Sequence, residues 1–163
     1  MMNNLPLCIS LLTIFCLKLL ADEPYSKYIK VYEIKSFDIP TLELPVGSNL
    51  YLFSALVEQN IASPNEVNKF LECFIQKFGI SELYINFHPH QSETTREIIH
   101  KKLTSLCKNL IVIPDNIMIE KLLMSNRLIN IYGIGTSLLI YGTYFSKENN
   151  VYALSNYFSK VIG

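Results

Sequence analysis

The sequence predicts an α/β fold: a Rossmann-like parallel sheet with helices on both faces. Three observations carry that reading. From Leu50 onward, short apolar runs alternate with longer segments whose apolar residues recur every three or four positions. The short runs are apolar throughout rather than every second residue, as strands buried on both faces require. Turn signals separate the two kinds of segment at each junction. The chain of 163 residues is 50% hydrophobic and 17% charged, enough apolar side chain for a packed core and far from a disordered composition.

The elements follow in order. Leu50-Tyr51-Leu52-Phe53-Ser54 reads as the first buried strand. Ser63-Pro64 supplies an N-cap and a first-turn proline, and Glu66 follows two residues after Pro64. The helix then carries Val67, Phe70, Leu71, Phe74, Ile75 and Phe78 on one face and ends at Gly79. Leu83–Phe87 is the second strand. Ser92 precedes a helix from Thr94 to Leu106, with Ile98, Ile99, Leu103 and Leu106 on one face and basic residues on another. Leu110–Ile113 is the third strand, stopped by Pro114, and Asp115 or Asn116 is expected to cap a short helix through Met124. A fourth strand lies within Arg127–Tyr132. After Gly133–Ser137 comes an apolar helix, Leu138-Leu139-Ile140-Tyr141 onward, expected to be buried on most sides. Val151–Leu154 is the fifth strand, and a short helical tail ends the chain.

Residues 49–163 therefore form the Rossmann-like domain, and residues 1–48 an N-terminal apolar segment and linker. Pro24, Pro40 and Pro45 punctuate residues 22–48, with a short strand at Ile29–Ile34. Leu5–Leu17 is almost wholly apolar but meets Lys18 too early to span a membrane, which takes about 20 apolar residues. A signal peptide ending at Ala21 lacks a positive residue in Met1–Asn4 and has Leu19 where a small residue belongs. The favoured reading is a buried helix left from a preceding domain. The alternative, a cleaved signal, makes the protein a small secreted domain; otherwise the expectation is cytoplasmic, peripheral at the inner membrane.

Fourteen Lys+Arg balance fourteen Asp+Glu, so no basic excess points to nucleic acid. Cys8, Cys16, Cys73 and Cys107 are scattered without metal-ligand spacing and read as free thiols.

Two strand ends carry chemistry. In Phe87-His88-Pro89-His90, Pro89 fixes its own φ and biases His88 to an extended backbone, which holds an imidazole at the mouth of the sheet. On its own this reads first as a strand terminator with two solvated histidines, since a lone His-Pro pair is common. In Gly133-Ile134-Gly135-Thr136-Ser137, glycines allow a sharp turn, and Thr136 and Ser137 offer hydroxyls and amides at a helix N-terminus, where phosphate binds. On its own this is equally a plain N-cap. It is neither a dinucleotide fingerprint nor a P-loop. In a parallel sheet all carboxyl ends share one edge, so His88 and Thr136-Ser137 project to one crevice.

This pairing resembles the bacterial sialyltransferases that carry a His-Pro and a Ser/Thr-Ser motif, the lipooligosaccharide sialyltransferase and capsular polysialyltransferase relatives. Asn86-Phe87-His88-Pro89 stands at their His-Pro segment, Tyr132–Ser137 at their Tyr-Gly-x-x-Ser-Ser segment, and Tyr51–Glu58 at the strand opening their nucleotide-binding half. Thr136 replaces the first serine, and Glu58-Gln59-Asn60 loosely matches an acidic-acidic-Gly pattern.

The resemblance implies one half of a GT-B fold. It implies a CMP-sialic acid donor, a surface glycan acceptor (lipooligosaccharide or capsule) and inverting transfer with no metal or other cofactor. His88 would stabilise or protonate the departing CMP phosphate. Pro89, Gly135, Thr136 and Ser137 would complete that phosphate site, and Glu58 would be the base for the acceptor hydroxyl. A GT-B enzyme needs two such domains, and 48 further residues are too few for the second. The expectation is therefore a truncated or split product, inactive alone, completed by a partner chain or homo-oligomer. The alternative is a non-catalytic remnant or an assembly module on the same scaffold.

Overall fold

The computed structural model describes residues 41–145 and 147–163, which belong to one compact unit, Ile39–Gly163. The expected strand at Ile29–Ile34, the apolar run Leu5–Leu17, Cys8 and Cys16 lie outside the described residues. Five strands form one parallel sheet: β1 (Asn49–Leu52), β2 (Glu82–Asn86), β3 (Asn109–Val112), β4 (Asn130–Gly133) and β5 (Asn150–Ala153). Their spatial order is β3-β2-β1-β4-β5. The sequence order reverses between β1 and β4, as in the first five strands of a doubly wound fold.

Strand β1 shows why its run is apolar throughout. Tyr51 and Phe53 enter one core with α1 (Pro64–Phe78), α2 (Glu93–Leu106) and α5 (Ser155–Ile162). Leu50 and Leu52 enter the other, with α3 (Ile119–Ser125) and α4 (Leu138–Phe145). Period-two side-chain alternation thus feeds two helical layers, and a polar residue at either parity would lose its water.

Helix α1 begins and ends as its sequence dictates. The Glu66 N–H donates to Ser63 Oγ at 3.3 Å, and the Ser63 N–H donates back to Glu66 Oε2 at 2.7 Å. This capping box contributes on the order of 1 kcal/mol. Gly79 adopts φ 63° and donates its N–H to the last-turn carbonyls, which ends the helix.

Two expectations fail. Asp115 and Asn116 do not cap a helix: the chain turns after Pro114, with the Ile117 N–H donating to the Pro114 carbonyl, and α3 starts only at Ile119, without a side-chain cap. Asp115 is engaged with Arg96 instead. Helix α4 is not buried on most sides. Leu139 and Gly142 face inward, while Ile140 is 66% and Tyr144 58% exposed. It packs on β4, β5 and α3, near the end of its layer, so one flank stays open. Strand β4 starts at Asn130, inside the expected window, since Leu128 at φ 57° lies outside strand geometry, and it runs one residue past that window to Gly133.

The last residues of the expected linker join the core. Leu44 is buried and Leu42 packs beside it. Asn126, itself buried, holds both: Oδ1 accepts the Leu44 N–H at 2.5 Å, and Nδ2 donates to the Leu42 carbonyl at 2.9 Å and the Leu122 carbonyl at 2.8 Å. Asn126→Ala strands these groups without water. Urea denaturation is expected to show a loss of about 2–3 kcal/mol, with the transition slope unchanged.

Each of the five strands opens on Asn or Glu, paired directly for β2–β3, β1–β4 and β4–β5, with β2 starting one residue ahead of β1. Asn109 Nδ2 donates to Glu82 Oε2, Asn49 Nδ2 to the Glu82 carbonyl, Asn130 Nδ2 to Asn49 Oδ1 and Asn150 Nδ2 to Asn130 Oδ1. This ladder pins the amino edge of the sheet. With the register set there, the carboxyl ends finish level on the opposite edge.

Candidate functional site

Leu52, the last residue of β1, pairs with Asn86 on one side and Gly133 on the other. His88 and Gly135 therefore each lie two residues beyond register-matched positions, on strands flanking β1. Adjacent strands are about 4.8 Å apart, so the two loops start roughly 10 Å from each other. A small, mostly apolar cleft lined by Phe53, Ser54, Phe70, Gln91, Ile134 and Phe158 among others runs into the core at this edge, and His88, Thr136 and Ser137 do not line it. Ser54 Oγ hydrogen-bonds the Ile134 carbonyl, tying the β1 and β4 extensions together. This is the point where strand order reverses, the position at which open α/β sheets hold ligands.

The His88 loop is fixed on several sides. Gln91, which is buried, accepts the His88 N–H on Oε1 at 2.7 Å, and the Gln91 N–H donates to the His88 carbonyl at 2.9 Å. Pro89 sits exposed within this turn, where its preset φ narrows the conformations of the free chain. The His90 N–H donates to His88 Nδ1 at 3.1 Å. That bond needs an unprotonated Nδ1, so the neutral ring carries its proton on Nε2 as a donor. Partial burial pushes the His88 pKa below its ordinary value. His90 and Arg96 push the same way, and Glu58 opposes them.

Glu58 does not stand free in its loop. Oε1 accepts the Ser92 N–H at 3.0 Å and the Ser92 hydroxyl at 3.2 Å, at the start of α2. Partial burial raises its pKa. Hydrogen bonding from the Ser92 amide, the Thr95 hydroxyl, its own backbone and the Ser92 hydroxyl outweighs this, and the carboxyl is held below its usual value. A carboxylate at a helix N-terminus is favourable, and depressing its pKa makes it a weaker proton acceptor.

At the other loop, Gly135 takes φ 60°, the left-handed turn expected of it. Thr136 Oγ1 accepts the Leu138 N–H at 3.3 Å, capping the first turn of α4, while Ser137 is exposed beside it. The Thr136 hydroxyl keeps its own proton to donate. The first amides of a helix have no intrahelical acceptor, so Thr136 and Ser137 present N–H groups along with their hydroxyls.

Three residues of this region are not singled out by sequence reasoning: Ser54, Gln91 and Arg96. Ser54 and Gln91 give no composition signal. Arg96 reads as part of a solvated helix start, yet it reaches the His88 carbonyl with Nη2 at 3.2 Å and pairs with Asp115 at 3.2 Å. His100 is exposed, and Cys73 and Cys107 are free thiols. Among the described residues no helix is long and apolar enough to cross a membrane.

By its fold the molecule is a Rossmann-like α/β protein, consistent with one half of a GT-B glycosyltransferase. The family described as Alpha-2,8-polysialyltransferase (POLYST) matches residues 27–155, and the chain belongs to that family. It is thereby related to the bacterial sialyltransferases, glycosyltransferases whose substrates are a nucleotide-sugar donor and a glycan acceptor. A search of the curated proteins returned no match.

Proposed function

We propose that the carboxyl edge of this sheet binds the CMP portion of CMP-sialic acid, as the donor half of a sialyltransferase acting on a surface glycan, lipooligosaccharide or capsule. The observation that carries the reading is the His88 imidazole. Its Nδ1 is occupied by the His90 amide, so Nε2 bears the proton, and it stands across β1 from the Thr136-Ser137 helix start. In the proposed site Nε2–H donates to a phosphate oxygen, while the Thr136 and Ser137 hydroxyls and amides donate from the other side. As the bond to the sugar breaks, negative charge grows on that phosphate, and His88 stabilises it or passes it a proton. Donors already in place do what a divalent cation would otherwise do, so the proposed reaction needs no metal or other cofactor.

Gly135 supplies the turn that aims the α4 amides, and Pro89 holds the His88 loop. Glu58, expected to be the acceptor's base, is assigned a holding task here: it anchors Ser92, and its depressed pKa suits an anchor better than a base. GT-B transfer takes place between two Rossmann-like units. The described residues make one, so the proposal covers donor binding, with the acceptor side contributed by a partner chain or a further domain.

Calorimetric titration of CMP into the full chain tests the reading. Saturable binding is expected, weakened about tenfold or more in the Thr136→Val/Ser137→Ala double variant through loss of two hydroxyl donors. Absence of CMP binding by the folded protein would overturn it. Binding of CMP without transfer to any glycan, even with the acceptor side supplied, would favour the assembly-module alternative.

A further inference from the structure

Arg96 occupies an unusual place. It lies in the first turn of α2, where the helix dipole disfavours a cation. Its side chain is nevertheless three-quarters covered, which long cations seldom are unless paired. Three contacts account for it. Nη1 pairs with Asp115 beyond the end of β3 at 3.2 Å, Nη2 donates to the His88 carbonyl at 3.2 Å, and the guanidinium lies over the Phe87 ring, 5.5 Å from its centroid. Phe87 in turn stacks on Phe53 at the end of β1. One planar fork thus joins α2, the β3 end and the residues either side of the Phe87–His88 peptide. A lysine ammonium cannot reproduce that planar, multi-point geometry.

The structure assigns Arg96 as the positioning residue of the His88 loop: braced by Asp115 and Phe87, it ties the His88 carbonyl, which the Gln91 N–H also holds, to α2, while Gln91 Oε1 fixes the His88 amide, and so it sets where the imidazole meets the donor's phosphate. This deepens the donor-site reading and rests on it for the ligand. The backbone of His88 is held at both its N–H and its C=O, so rotation of the His88 peptide, which would carry the ring away from Thr136-Ser137, is blocked from both ends. The charged groups facing the imidazole are His90 on its own loop, Glu58 from the β1 loop and Arg96 from α2, with Asp115 behind Arg96.

The test compares Arg96→Ala with Arg96→Lys in the full chain. It uses CMP affinity by calorimetry and NMR titration of the His88 ring without ligand. Arg96→Ala is expected to weaken CMP about tenfold, because binding must then order a His88 loop that Arg96 no longer holds. It should also move the His88 titration upward, because a neighbouring cation is gone. Arg96→Lys keeps the cation and loses the fork. It is expected to bind CMP as weakly as the alanine variant while titrating near the wild type, a split that simple loss of charge or of stability does not produce. Wild-type CMP affinity in Arg96→Lys, or an unchanged His88 spectrum in Arg96→Ala, overturns the assignment. Failure of the wild type to bind CMP removes the donor-site reading instead, and the positioning claim is then decided by the ligand-free His88 signals of Arg96→Ala alone.

Discussion

His88→Ala is expected to weaken CMP binding about 10- to 100-fold, the range for losing a hydrogen bond to a charged group. It is also expected to remove a pH dependence. In the free protein the His88 pKa lies below its ordinary value, because partial burial, His90 and Arg96 all disfavour the imidazolium and outweigh Glu58. A bound phosphate favours the imidazolium and raises that pKa. Between the lowered free value and the raised bound value, the complex holds more protons than its separated parts. Affinity therefore rises as pH falls through that window, and binding takes up protons. Calorimetry in two buffers of different ionisation enthalpy reads this uptake directly. The wild type should show an excess over His88→Ala, in which only the titration of CMP itself remains. Equal proton uptake in the two proteins would place the phosphate away from His88.

Gly133→Ala is expected to damage fold and site together. A Cβ at residue 133 would stand 3.1 Å from the Leu52 carbonyl oxygen and 2.9 Å from Thr136 Cγ2. The first neighbour is backbone of the central strand and cannot retreat without stretching the sheet. The second is the side chain whose hydroxyl caps α4. Overpacking of this kind costs about 1–3 kcal/mol. Thermal unfolding should show that loss, and CMP affinity should fall as well, because Thr136 must rotate or shift to make room. The glycine looks, in sequence, like one more turn residue. In the structure it is a strand residue whose missing side chain lets the Gly135–Ser137 loop fold back on the sheet. A variant as stable as the wild type would refute the close approach.

Some parts of the molecule were legible one segment at a time. Ser63, Pro64, Glu66 and Gly79 mark both ends of α1, because capping uses backbone groups within four residues of the signal. The apolar runs of β1, β2 and β4 announce strands covered on both faces, and Ser92 announces α2. The turn at Gly135 and the His88-Pro89 stop are local backbone chemistry too. Asp115 misled for the same reason: before a helical segment it reads as a cap, and nothing nearby reveals that Arg96, 19 residues earlier, claims its carboxylate. Helix α4 misled because apolar composition measures preference for burial, while actual burial depends on whether a neighbour exists to cover that flank.

By itself, then, the sequence determined the alternation of strands and helices, the parallel sheet and the two loops that hold His88 and Thr136-Ser137. Tertiary structure alone decided the rest. It set the order β3-β2-β1-β4-β5 that puts those loops on either side of β1, and the Asn126 clamp on Leu42 and Leu44, more than 80 residues away. It also directed Glu58 to Ser92 and Arg96 to the His88 carbonyl. The division follows from the reach of the forces. Caps, turns and periodicity act over a few residues of chain, whereas a carboxylate or guanidinium is satisfied by whichever partner the packed sheet brings within 3 Å or so.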